Sequence, residues 1–245
     1  MEFRFVHFYP DLMNLYGSYA NLSVLGRRLE AAGHTVRVDR VEPGAPAGEL
    51  SDADFLFMGA GTERRQKAAL ADFLRYGDQV RAAAEDGMPM LFAGTAMELL
   101  GASITDADGT VFPALGLAAF TSVQGRTRFV EDVYGGTDLF PEPVVGFMNK
   151  CSRIEGVETP LLTQVVMGWG NTGEQTPEGF HCGNVFASEL TGPLLVKNPR
   201  LLDEVAGILC RRRGLTLSPA GEESRWAAAG YAVTAEQLRL RSEKR

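Results

Sequence analysis

The stretch Pro89-Met90-Leu91-Phe92-Ala93-Gly94-Thr95-Ala96-Met97-Glu98-Leu99-Leu100-Gly101 decides how the chain is read. Residues 90–93 are a short continuous apolar run, the pattern of a strand buried on both faces of a parallel sheet. Gly94, Thr95 and Ala96 carry no bulky side chain and turn the chain, and residues 97–100 then open a helix whose N-terminus faces the turn. Strand, tight turn and helix in this order are the framework of a nucleophile elbow. There a strained turn exposes one side chain beside donors that stabilise an oxyanion or a thiolate. The apex residue is Gly94, where acyl-transfer chemistry would want Cys or Ser.

The same alternation extends upstream. Residues 3–8 are an apolar, β-rich run that leads through Pro10 and Asp11 into a helical spacing of Leu22, Leu25 and Leu29, stopped at Gly33. Residues 35–41 alternate as a strand should, and the Pro- and Gly-rich residues 43–48 read as a surface loop. Residues 54–58 form a second buried run closed by Gly59-Ala60-Gly61. Residues 64–86 then read as helical, with Gly87 as C-cap and Pro89 just beyond. Strands and helices joined this closely predict a parallel sheet covered on both faces by right-handed β-α-β units. Ligands of such sheets bind outside the carboxyl ends of the strands, which brings residues 10–21, 59–66 and 94–101 into the candidate site.

After Gly101 the pattern changes. Residues 110–133 and 144–186 hold short β-like runs punctuated by Gly, Asn and Pro, expected as antiparallel strands or hairpins added to the sheet. Residues 201–213 restore an amphipathic helix after Asn198-Pro199. The tail, residues 222–245, has helical composition but few apolar anchors, and either packs on the surface or serves a partner.

Composition bounds the remaining choices. A length of 245 residues, 45% hydrophobic and 22% charged, excludes global disorder and suffices for one large domain or two small ones. A chain of this size buries roughly 70–75% of its unfolded surface and needs no disulfide or structural metal. Cys151, Cys182 and Cys210 form no C-x-x-C pair and no zinc spacing, so a reducing, cytoplasmic setting is expected. The first twelve residues lack the pattern of an export signal, and no apolar run approaches the ~20 residues of a membrane span. The net charge of −7 disfavours nucleic acid, and the cluster Arg211-Arg212-Arg213 is expected to solvate a helix end. His7 and His34 lack partners at metal-ligand spacing and read as satisfied structural histidines; no metal or cofactor is expected.

Four segments together resemble the CobB/CobQ-like class I glutamine amidotransferases, in particular their GatD-type branch. Asn14-Leu15-Tyr16 with Asn21 is similar to an N-[IL]-Y-x-D-x-G-N stretch, and Gly59-Ala60-Gly61 with Arg65-Gln66 to a G-G-G-x-D-x-x-Q loop. Residues 91–101 resemble an elbow of the form C-G-G-Y-Q-x-L-G, and residues 190–198 a segment L-H-G-P-x-L-x-K-N. The resemblance implies a three-layer, flavodoxin-like α/β domain over residues 1–215, with a central, mostly parallel sheet, added antiparallel strands and a helical tail at 216–245. It also implies a family chemistry in which an elbow cysteine attacks the amide of glutamine with help from a histidine. The ammonia passes to a MurT-like ATP-dependent Mur ligase that activates the D-glutamate carboxylate of lipid II.

This chain departs from that pattern where the chemistry sits. The cysteine position is Gly94, the histidine position Thr191, the elbow glutamine Glu98, and the Asp and Gly of the first motif are Ser18 and Ala20. Removing a nucleophile that works as a unit with its base costs on the order of 10⁶-fold in turnover. The expected protein is therefore a subunit without catalytic residues for glutamine hydrolysis, and Arg128, Gly59, Gly61, Thr95 and Glu98 are the expected binding residues for glutamine or another small carboxylate.

Other readings remain beside it. A hydrolase or lyase of another class could use the cleft with Cys151, Thr95 or Glu98, and an amino-acid-binding regulator could use Arg128. Arg126 and Arg128 are either a surface pair or a carboxylate-binding fork. Thr95 reads as a helix cap, Glu63 and Arg64 as a solvated helix start, and Arg65-Gln66 as a cleft or partner contact. Cys182 and Cys210 read as core, whereas Cys151 falls in a polar loop and is the one cysteine expected to be exposed.

Overall fold

A computed structural model describes residues 1–45, 48 and 50–244; residues 46 and 47 of the expected surface loop lie outside them. The first half alternates as the sequence requires: β1 (Glu2–Phe8), α1 (Ala20–Ala31), β2 (Thr35–Val41), β3 (Phe55–Met58), α2 (Glu63–Phe73), α3 (Gly77–Glu85) and β4 (Met90–Ala93). The second half adds β5 (Ser103–Thr105), β6 (Val111–Pro113), β7 (Thr121–Gly136), β8 (Val144–Glu155), β9 (Gln164–Met167), β10 (Phe180–Cys182), β11 (Val185–Ser188) and β12 (Leu190–Thr191). It closes with α4 (Leu194–Lys197), α5 (Pro199–Arg212) and α6 (Arg225–Ser242).

The central sheet runs β10-β11-β4-β3-β1-β2. All its pairings are parallel except that of β10 with β11. Alternation along the strands supplies two cores. Val6, Phe8, Leu56, Met58, Met90 and Phe92 meet α2 and α3 through Leu70, Phe73 and Val80. Phe3, Phe5, Phe55, Phe57 and Leu91 meet α1 and α5 through Leu22, Leu25, Leu29, Leu201 and Val205. Each buried side chain of this size contributes about 1.5–3 kcal/mol. The result is an α/β fold with a central mixed sheet flanked by helices. Asp54 anchors its base, accepting hydrogen bonds from the Arg4 backbone N–H (2.8 Å) and the Arg213 guanidinium (2.5 and 3.0 Å).

Several expectations need correction. Apart from β10 and β11, the later strands gather into a second sheet, β12-β8-β7-β5-β6 with β9 on β7, built on the long antiparallel pair β7 and β8. The single helix expected over 64–86 is broken by a 3-10 turn at Leu74–Tyr76, ahead of Gly77. The segment after the elbow is a fully buried 3-10 stretch, Gly94–Leu100, not an α-helix. It ends at Gly101, where a Cβ would lie 2.6 Å from both the carbonyl oxygen and the ring of Phe120. Gly101→Ala is accordingly expected to cost on the order of 3 kcal/mol, read as a lower urea midpoint at unchanged slope.

The cysteine assignments change as well. Cys151 is buried and Cys182 exposed, while Cys210 is buried as expected. Residues 149–153 are the middle of β8, paired with β7, and not a loop, whereas Cys182 ends an edge strand. His7 is buried against Phe57, but its Nε2 has no hydrogen-bond partner, and burial followed by the charge of Arg40 lowers its pKa to about 4. Arg212 and Arg213 are not simply solvated, since they bind Asp86 and Asp54. Helix α6 lies across β7, β8 and β9, with Leu238 buried beside Val145 and Met167 and Arg241 paired with Asp132 at 2.5 Å.

Candidate functional site

The carboxyl ends of β3 and β4 bring the glycine loop and the elbow together. Gly94 has φ +63°, the left-handed backbone of an elbow apex. A Cβ built on it would lie 2.6 Å from the Cβ of Ala60 and 3.6 Å from Cγ2 of Thr191. Positions 60, 94 and 191, far apart in sequence, are thus neighbours, and the space in front of the apex holds the Ala60 methyl. Gly59 and Gly61 do not face an open cleft. A Cβ at Gly59 would meet the carbonyl oxygen of Met13 and the side chain of Ser18, and one at Gly61 would meet Met13 and Leu12, so both glycines admit the N-terminal loop.

Two backbone donors of this junction, Ala60 N–H and Gly61 N–H, are already engaged. Ala60 N–H donates to Ser18 Oγ (3.2 Å), whose hydroxyl donates to Leu15 O (2.8 Å). Gly61 N–H donates to Thr95 Oγ1 (2.9 Å), and the Thr95 hydroxyl donates back to Gly61 O (3.1 Å). Thr95 is therefore a cross-link between elbow and loop and not a helix cap. Thr191 donates its hydroxyl to Phe147 O (3.0 Å). A nucleophile, a base and free oxyanion donors are what amide hydrolysis requires; here glycine occupies the first position and the other polar groups bind one another.

Behind the elbow lies a polar layer. Glu98 is buried and accepts from Gln124 Nε2 at 3.0 and 3.2 Å, and the same nitrogen donates to Gln66 Oε1 at 2.8 Å. Gln66 Nε2 donates to Thr95 O at 2.6 Å, so Gln66 is a core clamp, while Arg64 and Arg65 are exposed. Lys150 on β8, only 1% exposed, donates to Asn171 O (2.9 Å). Burial lowers its pKa against the pull of Glu189, Glu178 and Glu98. Burial raises Glu98, raises Glu189 well above the usual carboxylate range with Glu98 adding repulsion, and brings Glu178 to about 7. Glu178 is held by Ser188 Oγ (2.9 Å) and Glu189 N–H (2.7 Å), and Glu189 Oε1 has no partner.

Arg128 sits at the bulge of β7 and is a fork, but one already loaded. It donates to Glu63 Oε1 (2.8 Å), Asn149 Oδ1 (2.7 Å) and Asn149 O (3.0 Å). Asn149 Nδ2 in turn donates to the hydroxyl of Tyr16, a residue at φ +58°. Glu63 is therefore not a solvated helix start: burial pushes its pKa up, but bonds from Arg128, its own backbone N–H and the Cys151 thiol hold it below the usual value. Burial and the neighbouring Glu63 push the Cys151 thiol up to about 12, which leaves almost no thiolate at neutral pH and removes it as a nucleophile.

Of the positions singled out in the sequence, 59–61, 94, 95 and 191 meet at one junction and Glu98 is tied to it through Gln124 and Gln66, whereas Arg128 lies with Glu63, Asn149 and Tyr16. Sequence reasoning missed Glu63, Gln124, Lys150, Glu178 and Glu189. Among the described residues no group of three or more His, Cys, Asp or Glu could hold a metal ion, and no helix is long and apolar enough to cross a membrane.

The chain belongs to the CobB/CobQ-like glutamine amidotransferase domain family, whose pattern matches residues 4–199. It is 31% identical over 219 residues, 89% of this chain and 88% of the relative, to the lipid II isoglutaminyl synthase (glutamine-hydrolyzing) subunit GatD of Staphylococcus aureus N315. It is also 31% identical over 204 residues to the GatD subunit of Streptococcus pneumoniae R6, covering 82% of this chain and 77% of that one. Among solved structures, PurLQS from Thermotoga maritima superposes with a TM-score of 0.53 at 14% identity, over 85% of this chain and 95% of its own, a likeness of fold alone.

Proposed function

We propose that this chain is a GatD-type subunit that no longer hydrolyses glutamine. It acts in the cytoplasm by pairing with a MurT-like ATP-dependent Mur ligase in the amidation of lipid II D-glutamate or a related carboxylate. The observation that carries the loss of hydrolysis is the elbow: glycine at the apex, with the Ala60 methyl where a side chain would project. The pairing is supported by family membership and by likeness to named synthase subunits over most of the chain. On this reading the partner receives nitrogen as free ammonia.

Co-expression with a Mur-ligase-like protein from the same genome is expected to give one co-eluting heterodimer in gel filtration. That complex should amidate its carboxylate substrate with ammonium chloride and not with glutamine. Two separately eluting monomers would refute the pairing, and glutamine-supported amidation would refute the loss of hydrolysis.

A further inference from the structure

In the resembling family pattern, position 60 is glycine where position 94 is cysteine; here position 60 is alanine and position 94 glycine. A Cβ at 94 would stand 2.6 Å from the Ala60 Cβ and 3.3 Å from its Cα, well inside the ~3.5–4.0 Å at which carbon atoms rest in contact. An alanine methyl has no rotamer by which to move aside. Ala60 could retreat only with its loop, and that loop is tied on both sides by Ala60 N–H to Ser18 Oγ, Leu15 N–H to Ala60 O (2.8 Å) and Gly61 to Thr95. Conversely, Ala60 is 1% exposed and Gly94 is buried, so glycine at both positions would leave a hole where packing is otherwise complete.

We infer that Ala60 and Gly94 are a compensating pair: the methyl at 60 fills the volume that a side chain at 94 would take and so excludes any nucleophile from the elbow. The inference rests on the reading of the elbow given above, and it deepens that reading. The loss lies in a packing exchange and is not reversed by restoring one side chain.

The test is a double-mutant cycle of Ala60→Gly and Gly94→Ala on the full chain, with urea unfolding as readout. Ala60→Gly alone is expected to lower the folding equilibrium constant about tenfold through loss of a buried methyl. Gly94→Ala is expected to lower it by about a hundredfold. In the Gly94→Ala background the sign reverses, and Ala60→Gly raises the constant by about tenfold. The backbone strain of a Cβ at φ +63° is common to both Gly94→Ala proteins and cancels in the comparison.

An Ala60→Gly effect equal in both backgrounds, or a double variant no more able to fold than Gly94→Ala, overturns the inference. Neither result depends on glutamine turnover: activity in the native chain would overturn the loss of hydrolysis and leave the cycle intact, and a failed cycle would leave the missing turnover intact.

Discussion

Purified protein given glutamine is expected to release glutamate on the order of 10⁶-fold more slowly than a working amidotransferase of the same fold. Gly94 offers no attacking atom. Thr191, whose Cγ2 lies 3.6 Å from a Cβ built at that apex, has a hydroxyl that is not ionised at neutral pH and cannot serve as a base, and that hydroxyl is committed to Phe147 O. Any oxyanion would also find the Ala60 and Gly61 N–H groups bonded to Ser18 and Thr95. Even a well-bound glutamine would therefore lack the nucleophile and the base of the acyl-transfer route. The measurement is a coupled glutamate assay on the native chain and on a variant with Cys151, Cys182 and Cys210 replaced. Steady turnover that survives the replacement would mean that another residue does the chemistry.

The second large effect concerns Lys150. Lys150→Met leaves Glu98, Glu178 and Glu189 buried without their main cation and is expected to cost about 3–5 kcal/mol of stability. The loss should grow with pH, because deprotonating the cluster is what Lys150 makes tolerable. Glu178 supplies an internal calibration. Its folded value, about 7, lies above the ordinary 4.5, so its contribution is fully present below pH 4.5 and is lost as pH rises to 7. That interval corresponds to about 3 kcal/mol. Glu178→Gln is expected to flatten the stability profile across this window, so that its advantage over the native chain increases toward pH 7. His7 works in the opposite sense. Its folded value, about 4, is below 6.5, and its contribution is lost as pH falls between those values, equally in both proteins. Parallel chemical-denaturation curves from pH 4.5 to 7.5 would leave no room for a titrating Glu178.

Much of the fold was legible because its signals are apolar and local. The runs at residues 55–58 and 90–93, the leucine spacing of α1 and the Pro-initiated α5 each announce themselves through burial, and the motif glycines located the junction. The polar layer was not legible for the reason that makes it unusual. Lys150 and Ser152 point inward from the middle of β8, so the period-two alternation of that strand reads as a polar loop and conceals both its burial and that of Cys151. Glu63 resembled a solvated helix start because its partners, Arg128 and Cys151, arrive from β7 and β8, distant in sequence. The 3-10 winding after Gly94 had no local signal, and the close approach of Phe120 to Gly101 at its end comes from a residue distant from the elbow in sequence.

The left-handed turn at Gly94 has a thermodynamic consequence. A cysteine at φ +63° holds its backbone in a region that costs a side-chain-bearing residue about 1–2 kcal/mol, a strain that active sites commonly store because it presents the reacting atom. Glycine adopts the same angles without that penalty. Glycine at position 94 therefore keeps the turn free of a strain that any side chain there would store, and Gly94→Cys would carry that cost in addition to its contact with Ala60.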